Sequence, residues 1–258
     1  MHISMGRYLL GQCIAMINLR NIEIGYAQHA LTPPINGCFV AGSLTAVIGA
    51  NGCGKSTLLK TLAGLQPTVA GQVIFAGGRA PQMAYLPQQT ELDNHFPITV
   101  QDVAAMGCWP QSGLFGGINY QSRQRIQQAL ESVGMQNMAR MPVGVLSGGQ
   151  LQRVLFARLL VQQAPLILLD EPFTGIDNQT VEQLLKVIHQ LHDEGRTIIA
   201  VLHDMAMVAN DFPQALWLTP QEYCWQSSEQ VLAQWHHTRS SPSALSSLIS
   251  AEPQGAIS

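Results

Sequence analysis

A lysine and a hydroxyl stand side by side at Lys55-Ser56, near the end of the run Gly49-Ala50-Asn51-Gly52-Cys53-Gly54-Lys55-Ser56-Thr57. Glycines at 49, 52 and 54 let a backbone turn successive N–H groups inward and come close to phosphate oxygens. Lys55 then offers a cation to the β- and γ-phosphates of a nucleoside triphosphate, and the Ser56 hydroxyl a ligand to Mg²⁺. Far along the chain two acids are adjacent, Asp170-Glu171, with Pro172 behind them. Beside a phosphate site such a pair has two separable uses. One carboxylate contacts the metal ion, through water, and the other polarises an attacking water as general base.

That chemistry needs elements to position it. Leu44-Thr45-Ala46-Val47-Ile48 reads as a short buried strand, and Ser56-Thr57-Leu58-Leu59-Lys60-Thr61-Leu62 as the helix after it. Strand, loop and helix in this order are the context the GxxxxGK[ST] pattern requires, and the helix N-terminus strengthens the anion cradle. Leu166-Ile167-Leu168-Leu169 is a continuous apolar run ended by acid and proline. It fits a parallel strand buried on both faces, whose C-terminal end is where open α/β sheets bind ligands. Neighbours on a strand point opposite ways, so Asp170 suits the metal and Glu171 the base. Thr197-Ile198-Ile199-Ala200-Val201-Leu202 is a further apolar strand and delivers His203. The expected fold class is α/β, a P-loop NTPase.

With Leu146-Ser147-Gly148-Gly149-Gln150 added in the right order, the chain from about Ile17 to Thr219 resembles an ABC ATPase. The resemblance implies a RecA-like core with an antiparallel β-subdomain and an inserted α-helical subdomain. It implies ATP and Mg²⁺ as ligands, with Gly49, Asn51, Gly52, Cys53, Gly54, Lys55, Ser56 and Thr57 around the phosphates. By the same resemblance Tyr26 stacks on adenine, although the residue also suits packing at the start of the β-subdomain. Gln88, in Tyr85-Leu86-Pro87-Gln88, senses Mg²⁺ and couples to the membrane partner; Gln89 beside it is the alternative. Ser147, Gly148, Gly149 and Gln150 reach the ATP of an opposing subunit. Phe173-Thr174-Gly175-Ile176-Asp177 links the two sites across a dimer, and His203 contacts the γ-phosphate. Cys53 stands at a variable position of the loop, as a small filler or as a reactive thiol.

Composition agrees with one cassette in a reducing compartment. The chain has 258 residues, enough for a sizeable core within one domain. Charged residues are 11% of the total, against roughly a quarter in ordinary globular proteins; glutamine supplies much of the polar surface instead. The net charge is −3 and Lys and Arg form no cluster, so there is no electrostatic footprint for nucleic acid. The five cysteines (13, 38, 53, 108 and 224) form no CxxC pair and suggest neither a disulfide framework nor a zinc site. No apolar run reaches the roughly 18–20 residues that span a bilayer. The stretch Tyr8–Met16 is short and has only Arg7 as a charged flank, so a secretory signal is not expected.

Residues 1–16 read as a non-core extension, since Met16-Ile17-Asn18-Leu19 is how such cassettes begin. Residues 17–239 form the ATP-binding domain and 240–258 a disordered tail rich in Ser, Gln and Pro. Residues 17–80 alternate short strands with Gly and Pro turns, giving an antiparallel β-subdomain around the P-loop strand. Residues from about 91 to 162 form the helical subdomain, where Ile126, Ala129, Leu130 and Val133 share a helix face, Ser122 is the expected N-cap and Gly134 the stop. A later helix carries Val181, Leu184, Leu185, Ile188 and Leu191 on one face; His189 and His192 fall on or near it and read as packing residues. His236-His237, in the Ser-, Gln- and Pro-rich stretch after Thr219, invite a metal-binding role, but two adjacent histidines in a mobile stretch are weak ligation and are not read as a metal site.

The resemblance also implies partners: a homodimer of ATPase subunits, separate membrane permease subunits, and a periplasmic or extracellular substrate-binding protein, with this chain at the cytoplasmic face of the plasma (inner) membrane. Cassettes of DNA repair and chromosome structure carry a long coiled coil between loop and pentapeptide, for which residues 58–145 leave no room. Translation-factor ATPases resemble two cassettes in tandem, and here there is one P-loop. Phe96-Pro97-Ile98-Thr99-Val100-Gln101-Asp102-Val103 with Met106-Gly107, then Gly113-Leu114-Phe115-Gly116, is similar to manganese, zinc and iron importers. Cys108-Trp109-Pro110 departs from that group, and iron–siderophore or cobalamin importers are the alternative.

Overall fold

The computed structural model describes residues 15–26, 29–88, 98–112 and 118–240. Eleven strands are described: β1 Ala15–Glu23, β2 Gly25–Tyr26, β3 His29–Ala30, β4 Ile35–Val40, β5 Leu44–Gly49, β6 Ala70–Phe75, β7 Met83–Leu86, β8 Leu166–Asp170, β9 Thr197–Val201, β10 Gln214–Leu218 and β11 Tyr223–Ser227. The helices are α1 Lys55–Leu62, α2 Val100–Ala105, α3 Trp109–Ser112, α4 Tyr120–Ser132, α5 Gly148–Gln162, α6 Asn178–Asp193, α7 Met205–Asp211 and α8 Ser228–Ser240.

The central sheet has the order β11-β10-β5-β9-β8-β7. Its strands from β10 to β7 pair in parallel, and β11 adds an antiparallel edge. Both faces are covered, as a parallel sheet requires. Strand periodicity sorts the core into two clusters. Ala46, Ile48, Ile167, Leu169, Ile198 and Ala200 face one side, with helices α4, α5 and α6. Val47, Leu166, Leu168, Ile199 and Val201 face the other, with Leu58, Leu59 and Leu62 of α1. By the same alternation Asp170 points to the α1 side.

The antiparallel sheet is β4-β1-β6, and Ile17, Leu19, Ile35 and Phe39 pack it onto the α1 side of the core. The P-loop strand β5 does not join it. Both hydrogen-bonding edges of β5 are taken by β9 and β10, and its first five residues are buried. The expectation that β5 lies inside the β-subdomain is thus corrected. The first strand also starts earlier than expected: Ala15 pairs with Val40 and Met16 packs on the core, so these two residues belong to the sheet.

In the helical region, Thr99 caps α2 through a reciprocal box with Asp102, and Ile126, Ala129, Leu130 and Val133 are buried as their spacing required. Ser122 is not the cap of α4. Asn119 accepts from the Ser122 N–H at 2.8 Å, and Ser122, buried one turn in, accepts from Arg125. Gly134, at φ 70°, ends the helix region. Gly107 owes its identity to crowding, since a Cβ there would sit 2.3 Å from the Arg158 carbonyl oxygen and 2.9 Å from Val161 Cβ. Gly107→Ala should therefore force α5 away from the α2 end and destabilise the fold by about 1–3 kcal/mol. Urea unfolding checks this; an unchanged midpoint would show that the helices part freely.

On α6, Leu184, Val187, Ile188 and Leu191 are buried, but His189 is not a packing residue. Its Nε2 lies 3.0 Å from Asp211 Oδ1, tying α6 to the end of α7. His236 and His237 stand on α8, with His236 edge-on to Trp235, rather than in an irregular tail. Of the expected tail 240–258, Ser240 ends α8, while residues 241–258 and the motif Gly113–Gly116 lie outside the described residues.

Candidate active site

A cleft of about 800 Å³ opens along the C-terminal ends of the parallel strands. It is lined by Tyr26, Leu31, Asn51, Gly52, Gly54, Lys55, Ser56, Thr57, Gln88, Glu171, Thr174 and His203. The P-loop follows β5, His203 follows β9, Glu171 follows β8 and Gln88 follows β7, so four adjacent strands deliver the polar side chains. This is the end of an open α/β sheet at which ligands bind.

Gly54 stands before α1 with φ 99°, a conformation that costs any side-chain-bearing residue roughly 1–2 kcal/mol. The first turn of α1 holds no acidic residue and no side-chain cap, which leaves its positive end for an anion. Lys55 is buried, and its Nζ donates to the carbonyls of Gly49 (3.0 Å) and Ala50 (2.9 Å), holding the ammonium against the loop. A polyphosphate fits this donor set.

The Ser56 hydroxyl donates to Asp170 Oδ1 at 2.8 Å, and Tyr85 donates to Oδ2 at 3.3 Å. Burial pushes the Asp170 carboxyl above its usual range, and the nearby Glu171 adds to this, while the two hydroxyl donors oppose it. A hydroxyl and a buried carboxylate side by side are hard oxygen ligands of the kind Mg²⁺ takes. The residues fit that ion: Ser56 and Asp170 would hold it, and it would supply positive charge to the phosphates.

Glu171 is held by both its backbone and its side chain. Its backbone has φ 49°, strain that persists only where surroundings over-determine it. Oε1 lies 2.7 Å from His203 Nε2. Oε2 accepts from Gln88 Nε2 at 2.9 Å and from the Thr174 hydroxyl at 3.2 Å. An ionised carboxylate is an acceptor only, so a hydrogen bond from His203 to Glu171 in that form takes the tautomer with the proton on Nε2. The sequence expectation placed His203 on a γ-phosphate; in the structure its ring nitrogen lies against Glu171.

The other expected ligands fall in two places. Tyr26 stands at the cleft rim, 56% exposed, and its hydroxyl accepts from Thr57 at 3.2 Å. Gly49 and Cys53 do not line the cleft. Cys53 is buried in the α1-side core, and burial pushes its thiol up despite the neighbouring Lys55 charge, which makes it a filler rather than a reactive thiol. Ser147, Gly148, Gly149, Gln150 and Asp177 also lie outside the cleft lining. Ser147 and Gln150 form a reciprocal cap on α5. Asp177 caps α6 by accepting from Thr180, whose N–H and hydroxyl hold its carboxyl below the usual range. A Cβ on Gly149 would meet Asp177 at 3.2 Å, so the pentapeptide and the Asp177 loop are in contact.

A family model described as ABC transporter matches residues 33–174. The chain belongs to the ABC transporter family. This ABC cassette is 37% identical to the manganese transport system ATP-binding protein MntB of Listeria innocua, over 84% of this chain and 92% of that one. It is 36% identical to the zinc transport system ATP-binding protein TroB of Treponema pallidum, over 78% and 77%. Among solved structures it matches a metal-chelate type ABC transporter in an inward-facing conformation, at TM-score 0.76 and 26% identity over 84% of this chain and 85% of that one.

Three residues of the cassette's cleft escaped the sequence reading. Leu31 and Thr174 line it, and Tyr85 bonds Asp170. Tyr85 precedes Gln88 in a quoted motif, and Thr174 lies inside the loop assigned to the dimer link, but no spacing rule aims either at a carboxylate. The alternative Gln89 lies outside the described residues.

Proposed function

We propose that this chain is the ATP-hydrolysing subunit of an ABC importer for a metal ion, manganese, zinc or iron, working with separate permease subunits. The observation that carries the ATPase reading is the convergence of Lys55, the Ser56–Asp170 pair and Glu171 in one cleft. The overall reaction converts ATP and water to ADP and phosphate. Lys55 and the N–H groups of α1 hold the β- and γ-phosphates. Glu171 takes a proton from water as the oxygen attacks the γ-phosphorus, and ADP departs from the opposite side. Mg²⁺, when held by Ser56 and Asp170, neutralises charge on the phosphates. Gln88 and His203 hold Glu171 in place. Tyr26 offers its exposed ring as a platform for adenine.

No helix among the described residues is long and apolar enough to cross a membrane. The reading therefore assigns the path to the permease, places this chain at its cytoplasmic face, and includes an external binding protein that delivers the metal. The manganese and zinc relatives support the cargo class. The metal-chelate neighbour favours a second reading, import of an iron–siderophore or cobalamin. Uptake by the reconstituted transporter of free Mn²⁺ or Zn²⁺, against uptake of the chelate, separates the two. Lys55→Ala tests the cleft itself. Loss of the charged donor should weaken binding of a fluorescent ATP analogue by about 10- to 100-fold, and unchanged affinity would remove the phosphate role of the loop.

A further inference from the structure

We propose that Thr174 is a positioning residue for the catalytic base, fixing which oxygen of Glu171 receives the proton of water. The inference rests on the ATPase reading and on Glu171 as base. A carboxylate has about four acceptor sites, two on each oxygen. On Oε2 both are used, by Gln88 at 2.9 Å and by the Thr174 hydroxyl at 3.2 Å. On Oε1 one is used, by His203 at 2.7 Å. The acceptor site that the described residues leave open is on Oε1, and a water that gives up its proton to Glu171 uses it.

Thr174 does this from within the turn that Glu171 itself begins. Its N–H donates to the Glu171 carbonyl at 3.4 Å, so backbone and side chain both return to the same residue. From the other side, Gln152 donates to the Pro172 carbonyl at 2.8 Å from a buried position on α5. Glu171 holds φ 49° inside this frame. The backbone of the turn is thus anchored without the hydroxyl, and the hydroxyl is left with one distinct task. It saturates Oε2 and prevents the carboxylate from rotating its oxygens past Gln88.

Steady-state ATPase assays of the intact chain decide the matter. Thr174→Val keeps the shape and removes the donor. It should lower kcat about tenfold, the effect of one hydrogen bond to a charged group, with KM for ATP and the unfolding midpoint near those of the parent. Thr174→Ser, which returns the hydroxyl, should recover most of the loss, and Thr174→Ala should match Thr174→Val. In a Glu171→Gln background, Thr174→Val should cost little more, because a group acting through Glu171 has nothing left to position. Full kcat in Thr174→Val, a Ser variant as impaired as Val, or a loss confined to KM would each overturn the proposal while leaving the ATPase reading intact. If Thr174→Val does not fold, the Ser and Ala pair carries the comparison, and equal rates for those two overturn it. A parent protein without ATPase activity sinks the reading and the proposal together.

Discussion

Glu171→Gln protein binds ATP as the parent does and hydrolyses it roughly 10²–10⁴-fold more slowly. The substitution keeps size and shape but replaces the proton acceptor with an amide. The groups proposed to hold the phosphates, Lys55 and the first turn of α1, lie on a different strand connection and are untouched. Affinity and turnover should therefore part company. Equilibrium binding of labelled ATP together with a single-turnover assay measures both. Parental turnover would remove Glu171 from the base role and leave the 2.7 Å contact with His203 as a structural bond alone.

Much of this cleft is legible in the sequence because strands alternate. Leu166 and Leu168 face α1, so Asp170, two further on, had to face Ser56, and Glu171 had to do something else. The glycine pattern likewise predicts the anion end of α1, where Gly54 takes φ 99°. What the sequence does not give is the order of strands. Gln88, Glu171 and His203 come from three distant segments, and they meet because β7, β8 and β9 are neighbours in the sheet. Nor does it give local competition for hydrogen bonds. Asn119 and Ser122 are both good caps, and the chain uses Asn119 because Ser122 is buried one turn in and bonded to Arg125. The left-handed backbone at Glu171 has no signal at all, since Glu carries no preference for it.

Ser147→Arg should abolish ATP hydrolysis although Ser147 lines no part of its own chain's cleft. The pentapeptide begins α5 at an exposed surface: Ser147 and Gly148 are exposed, and a Cβ on Gly148 would meet nothing within 4 Å. A helix N-terminus facing outward is suited to the phosphates of another chain. Two copies paired head to tail with twofold symmetry would bury it against a partner's nucleotide. ATP then adds binding energy only to the pair, and it should drive dimerisation by mass action. Light scattering of Glu171→Gln protein checks this, with a monomer expected without nucleotide and a dimer at saturating ATP. Complementation separates an action across the dimer from an action within one chain. Ser147→Arg and Lys55→Ala should each be inactive alone. In a mixed dimer, the intact loop of the Ser147→Arg chain meets the intact pentapeptide of the Lys55→Ala chain, so one whole site forms and the other carries both defects. Mixing the two proteins should then restore ATPase activity. If Ser147 acted within its own chain, every site in the mixture would stay broken, and the absence of restored activity would end the argument for a shared site.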